Sequence, residues 1–170
     1  PFSNLWESMM LFIWATNVAY LFMEYKYKFK VIGMVVMAIE SLGMLSASLL
    51  PYKFKSVEPL NPALQSKWHW MTDLLSTWGL EKYAIGWLDF HVFTTFIGYA
   101  GFAIAFGLSI LYLIKERSEE KGSGGSLVNA FPPSRVLDEM SYRAIAWGFP
   151  FLGVGIVSGA VWANYAWGTY

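Results

Sequence analysis

Phe90-His91-Val92-Phe93-Thr94-Thr95-Phe96-Ile97-Gly98-Tyr99-Ala100-Gly101-Phe102-Ala103-Ile104-Ala105-Phe106-Gly107-Leu108-Ser109-Ile110-Leu111-Tyr112-Leu113-Ile114 runs without one Asp, Glu, Lys or Arg. A hydrocarbon layer about 30 Å thick takes roughly 20 helical residues to cross, and this run exceeds that. Three further stretches share the property. Residues 8 to 23 and 144 to 170 carry no charge, and residues 31 to 52 carry only Glu40. The expected fold is therefore all-α, a polytopic transmembrane helical bundle. Its four spans should cover about residues 5–24, 31–50, 88–114 and 142–164.

Across all 170 residues, 12 Lys and Arg balance 12 Asp and Glu, and only 14% of positions are charged. A soluble domain is nearer a quarter charged. A nucleic-acid binder would need a basic excess to meet phosphates, so that class is disfavoured. With 56% apolar residues the chain is not disordered, and with no cysteine it has no disulfide framework, dithiol relay or thiolate zinc site.

Cytoplasmic loops retain Lys and Arg, which sets the orientation. Lys26, Lys28 and Lys30 follow the first span, and Lys115, Arg117, Lys121, Arg135 and Arg143 follow the third. Both connections should be cytoplasmic, the second being a linker over 115–141. The connection over 51–87 must then be external, where Lys53, Lys55, Lys67 and Lys82 are offset by Glu58, Asp73, Glu81 and Asp89. That external loop also holds Trp68, Trp70, Trp78 and Trp87. Residues 70–85 fit an amphipathic helix lying in the interface, and an ordinary aromatic belt is the other reading. Pro1 in place of an initiator Met, and the aromatic finish at Tyr170, raise the expectation of a piece of a larger membrane protein.

Local signals mark several ends. Asn4 with Glu7 resembles a capping box, Pro51 should stop the second helix, and residues 121–126 (Lys-Gly-Ser-Gly-Gly-Ser) have linker composition. Gly155 and Gly159 form a GxxxG pair, extended by Gly148 and Ala163, and Gly98, Gly101 and Gly107 thin the third span. Close helix packing is the ordinary meaning of such stripes.

Candidates for chemistry are few. The histidines are His69 and His91, both on the outer side. His91 stands where the interface meets hydrocarbon, so its neutral imidazole is either a metal or haem-iron ligand or a hydrogen-bonded anchor. No histidine pairs with another His or Glu at helical spacing, and no phosphate loop, GxSxG elbow or triad is present. Glu40 lies mid-span, where an ionised carboxylate costs about 2.5 to 3.5 kcal/mol on insertion scales. It is either a proton or ligand contact, or a protonated side chain bonded within the bundle to Ser41, a Thr or backbone.

Several segments together resemble one family. Pro1-Phe2-Ser3-Asn4-Leu5-Trp6-Glu7-Ser8, then Pro62-Ala63-Leu64-Gln65-Ser66, then Trp87-Leu88 followed by His91-Val92, are similar to motifs of the CcsA/ResC (CcsBA-type) cytochrome c biogenesis proteins of System II. The run Gly148-Phe149-Pro150-Phe151-Leu152, Gly155 through Asn164 and Ala166-Trp167-Gly168-Thr169-Tyr170 resembles the approach to that family's tryptophan-rich WWD domain. Two departures stand out. The family's PALQS and WLxxHV segments lie almost together, whereas residues 68–86 separate them here. Its WSWDPKE core and second external histidine would fall beyond Tyr170.

The resemblance implies a haem b held on the extracytoplasmic side. His91 would be an axial ligand to the haem iron, and Trp87, Trp162 and Trp167 would contribute to the aromatic surface against the ring. It implies haem handling and covalent attachment to the CxxCH thiols of apocytochrome c, as part of a holocytochrome c synthase that this segment alone would not constitute. A CcsB/ResB-type partner, separate or fused, and membrane lipids would be its company, in a bacterial cytoplasmic membrane or a thylakoid membrane. The alternatives are a transporter or proton-conducting subunit using Glu40, or a CcsA-like assembly factor or structural subunit that does not ligate haem.

Overall fold

A computed structural model describes residues 4–56, 67–122 and 124–168. Their regular structure is helical: α1 (Leu5–Tyr27), α2 (Ile32–Leu49), α3 (His69–Ser76), α4 (Trp87–Glu120), α5 (Ser126–Asn129) and α6 (Ser134–Trp167), with 3-10 turns at Tyr52–Phe54 and Glu81–Tyr83. Three helices are long and apolar enough to cross a membrane: α2, α4 and α6. The chain is thus a helical membrane protein. With 23 residues, α1 reaches about 34 Å at 1.5 Å per residue, but Glu7, Asn17 and Glu24 keep its composition below that of the other three.

The helix ends follow local chemistry. Asn4 caps α1, its side-chain oxygen accepting from Glu7 N–H at 2.8 Å while its amide donates to Lys55 O at 3.3 Å. One side chain therefore starts α1 and ties it to the chain leaving α2, so these two ends lie together. The last residue of α2 is Leu49, two before Pro51. Asp89 accepts from Gly86 N–H at 3.1 Å and fixes the start of α4. Gly168, at φ 74°, closes α6 by donating to Asn164 O at 2.8 Å.

Both long helices outrun the spans expected for them. Residues 115–120 continue α4 as Lys-Glu-Arg-Ser-Glu-Glu, mostly good helix formers, until Gly122 at φ 61° breaks the run. Likewise α6 begins at Ser134, eight residues before the expected span. The connection between α4 and α6 is correspondingly short, and Glu119 near the end of α4 holds Ser134 at the start of α6 through both its N–H and its hydroxyl.

In the bundle, α4 and α6 form the central pair, α1 packs on α4 and α2, and α2 also packs on α4. Toward the end where α4 connects to α6 the core is made of side chains: Ile32, Val36, Ile104, Leu108, Leu111, Phe131, Leu137 and Met140 are all buried. Farther out, glycines replace side chains at the α4–α6 seam. A Cβ on Gly101 would stand 2.9 Å from Gly148 Cα, and one on Gly98 would stand 2.8 Å from Leu152 N. The small-residue stripes are therefore places where backbone meets backbone, as their spacing suggests.

The loop between α2 and α4 differs from the long interfacial helix considered for residues 70–85. Only 69–76 form a helix, because Gly79 at φ 66° turns the chain and Leu80 N–H returns to Leu75 O at 2.9 Å. Beyond it the loop closes on itself. Trp68 N–H donates to Ile85 O at 3.2 Å, and Lys67 Nζ donates to Glu81 O and Lys82 O at 3.1 and 2.9 Å. The PALQS segment, residues 62–66, lies outside the described residues, as do Pro1 to Ser3.

Candidate functional site

The outer ends of α4 and α6 converge on His91. In the first turns of α4, its imidazole is half-buried and turned across the seam toward α6. Nδ1 lies 2.7 Å from Gly155 O, a contact between residues 64 apart in sequence. A carbonyl oxygen only accepts, so Nδ1 carries the proton and donates it. In a neutral imidazole the remaining nitrogen, Nε2, then keeps its lone pair.

Two glycines of α6 make this approach possible. Gly155 supplies the carbonyl, and its own Cα passes so close to Thr95 that a Cβ would stand 3.0 Å from Thr95 Cα. Gly159 lies one turn outward beneath the ring itself, where a Cβ would come within 2.7 Å of Nδ1. Around them Ser158 is buried and donates its hydroxyl to the same Gly155 O at 2.9 Å. Thr94, also buried, turns its hydroxyl back onto Phe90 O at 2.8 Å.

Aromatic rings border the site on the loop side. Trp68 meets Trp87 edge-on with ring centroids 5.6 Å apart, and it meets Phe90 at 5.4 Å. Trp87 is 38% exposed, so one face of that cluster remains open. Trp162 instead is buried, at 8% exposed, and so offers no open aromatic platform. Trp167 belongs to the last turn of α6, and its side chain lies outside the described residues. His69 heads α3 and is exposed.

Sequence reasoning named His91 and the Gly155/Gly159 pair but did not join them. The pairing has no residue-type signature, since the acceptor is a backbone carbonyl. The available clue was topological: antiparallel spans put the start of α4 and the end of α6 on one side. Trp68 and Ser158 were missed as neighbours of the site, and the first gave a hint by preceding a loop that returns to Trp87.

Two other features lie elsewhere. Glu40 is buried in α2 with Asn17 of α1 as polar neighbour, and its Oε1 has no hydrogen-bond partner. Ser41 does not serve it, because that hydroxyl donates to Met37 O at 2.7 Å. An apolar groove of about 640 Å³ runs between α1 and α6 over α4, bounded by Trp14, Phe22, Ile97 and Trp147, with Lys26 and Arg143 also lining it. His91 does not line it.

The whole-chain relatives agree with the motifs. Cytochrome c biogenesis protein CcsA of Guillardia theta is 35% identical over the full chain, that of Porphyra purpurea 33%, and that of Chlamydomonas reinhardtii 37%. The chain covers 56%, 59% and 43% of those proteins, and so spans about half the length of the curated relatives it matches. No solved structure matches it. The family model described as cytochrome C assembly protein matches residues 80–170, more than half the chain and the stretch that holds both α4 and α6. With that match lying over the seam that seats His91, the chain belongs to the cytochrome c assembly protein family.

Proposed function

We propose that this chain is the part of a cytochrome c maturation protein that holds haem b at the extracytoplasmic face, with His91 Nε2 as an axial ligand to the iron. The observation that carries the reading is the fixed tautomer: Nδ1–H is committed to Gly155 O at 2.7 Å, so Nε2 is the nitrogen able to bind a metal. Metal-bound histidines ordinarily donate their other N–H in this way. The donor set also suits iron in a porphyrin, which takes its remaining in-plane ligands from the macrocycle and needs only an imidazole from the protein.

The neighbours fit an amphipathic, flat ligand. Trp87 offers a partly exposed indole beside Trp68 and Phe90, and the boundary position matches a group with an apolar ring and a polar edge. When bound, haem supplies two vinyl groups across which cysteine S–H bonds of a CxxCH segment add, each sulfur bonding one carbon and each proton passing to its neighbour. This chain's residues would contribute placement: His91 would hold the iron, and Trp68, Trp87 and Phe90 would give the ring apolar contact. Holding a reactant in position is itself a large part of such a barrier. Apocytochrome c and a CcsB/ResB-type subunit, fused or separate, are the partners this role requires. Basic connections at the opposite end of the bundle support a site outside the cytoplasm, and the role suits a bacterial cytoplasmic or thylakoid membrane, with α1 as a fourth span.

His91→Gly in the full-length protein tests the reading. Haem retention should fall and return when imidazole is added to the growth medium. Unchanged haem content without imidazole overturns the ligand role. The proton-conducting reading is weaker on structural grounds. Among the described residues the buried polar side chains are Thr16, Glu40, Thr94, Ser141 and Ser158, so Glu40 has no second buried titratable group to relay to. Loss of flux in vesicles on Glu40→Gln, with haem retained, would revive it.

A further inference from the structure

Gly155 O is claimed twice from the side-chain side of the seam. His91 Nδ1 donates to it at 2.7 Å and Ser158 Oγ at 2.9 Å. Both contacts are sheltered, since Ser158 is 6% exposed and Gly155 is buried. A carbonyl oxygen has two lone pairs, and a second donor draws density that the first would otherwise receive.

We propose that Ser158 is a positioning residue for His91: its hydroxyl occupies part of the acceptor capacity of Gly155 O and so sets how strongly the imidazole N–H is polarised, while the missing Cβ of Gly159 leaves the ring room to reach that oxygen. The inference rests on the reading of His91 as a haem-iron ligand. Polarisation at Nδ1 passes through the ring to Nε2. The stronger the Nδ1–H···O bond, the more electron-rich the ligating nitrogen and the better it supports ferric over ferrous iron. Ser158 weakens that bond, so it holds the reduction potential of a bound haem above the value Gly155 O would give with only its helical N–H and the imidazole as donors. Such an effect has a use here, because vinyl addition of thiols in this proposed role calls for haem kept reduced.

Gly159 acts through geometry instead. An added Cβ would fall 2.7 Å from Nδ1 and 3.3 Å from Nε2, touching the ring over its whole edge. The neighbour being struck is the imidazole itself, so the ring must swing away from Gly155 O.

The test uses the full-length protein purified with its haem. Ser158→Ala should leave haem content near wild type and lower the midpoint potential in a spectroelectrochemical titration. Ser158→Thr keeps a hydroxyl that bonds back to the preceding turn, and should stay at the wild-type potential. Gly159→Ala should lose most of its haem and regain it with added imidazole. An unchanged or raised potential in Ser158→Ala, or an equal fall in Ser158→Thr, overturns the role of the hydroxyl. Haem retained in Gly159→Ala overturns the role of the glycine. His91→Gly is run alongside: if it loses haem while these variants behave as wild type, the ligand stands and only the positioning inference falls. If it keeps haem, the ligand reading falls first.

Discussion

The same two helices, α4 and α6, are joined by different means at their two ends. In the half near the α4–α6 connection Ile104, Leu108, Leu137 and Met140 fill the seam with side-chain volume, and all are at most 2% exposed. In the half around His91, Gly98, Gly101, Gly148, Gly155 and Gly159 remove volume so that backbones touch and an imidazole can approach α6 edge-on. Filled volume gives stability, because each buried methylene contributes on the order of 0.8 kcal/mol. Backbone contact gives placement, because helices that touch along glycines have little freedom to slide. A site that must hold one ring against one carbonyl gains more from the second device than from the first.

If that division is right, the largest loss of stability should come from the half filled by side chains. Leu137 is 0% exposed, and Leu137→Ala should cost about 2 to 5 kcal/mol as the cavity opens. Thermal unfolding in detergent would report it, and the absorption spectrum of haem in the surviving folded fraction should be unshifted. A cost under about 1 kcal/mol would show that this half does not carry the bundle.

A smaller loss is expected at the glycine seam, and it should depend on which glycine changes. At Gly101 an added Cβ would stand 2.9 Å from Gly148 Cα and 3.0 Å from Ala144 O, and backbone cannot rotate aside. Gly101→Ala should therefore cost about 1 to 3 kcal/mol by forcing the helices apart. Gly153 on the same helix pair has nothing within 4 Å of its would-be Cβ. There Gly→Ala should be neutral, or stabilising by up to about 1 kcal/mol through helix propensity. Equal effects at the two positions would remove close approach as the reason for the stripe.

The contrast also shows what a sequence can and cannot disclose. Charge-free runs disclosed the helical bundle, since hydrocarbon penalises every unpaired charge along a span. The glycines were readable as packing marks. Which surface each glycine faces was not, because that depends on the rotation of α6 about its axis. His91 was singled out by residue type and place, yet its bond to Gly155 O is made with backbone and has no motif of its own. The loop was misjudged for a legible reason: Gly79 interrupts residues 70–85, and Gly after Trp78 is a stop signal that amphipathic patterning outweighed. Closure by Lys67 on the carbonyls of Glu81 and Lys82 leaves no trace in residue types at all.

The smallest expected effect lies where α4 hands over to α6, where Glu119 of α4 accepts from the N–H of Ser134 at 3.3 Å and from its hydroxyl. A carboxylate there caps the first turn of α6, satisfying an N–H that has no partner within the helix. The Ser134 hydroxyl, and then the nearby Lys115, hold the Glu119 carboxyl below its ordinary value. A group depressed on folding favours the folded state fully above its unfolded value, near 4.3 for Glu, and that contribution fades as pH falls through the lower folded value. The carboxylate is open to solvent, so the change should be local: fraying of the first turn of α6 rather than unfolding. Hydrogen exchange of a peptide covering 134–140 should be protected at neutral pH, lose part of that protection in the acid range, and show the reduced protection at every pH in Glu119→Gln. A peptide covering 155–162 should be indifferent to the substitution, because the glycine seam takes nothing from this cap. If Glu119→Gln loosened both ends together, the two halves of the α4–α6 pair would be one cooperative unit, and the distinction between filled and glycine-lined packing would have no dynamic meaning.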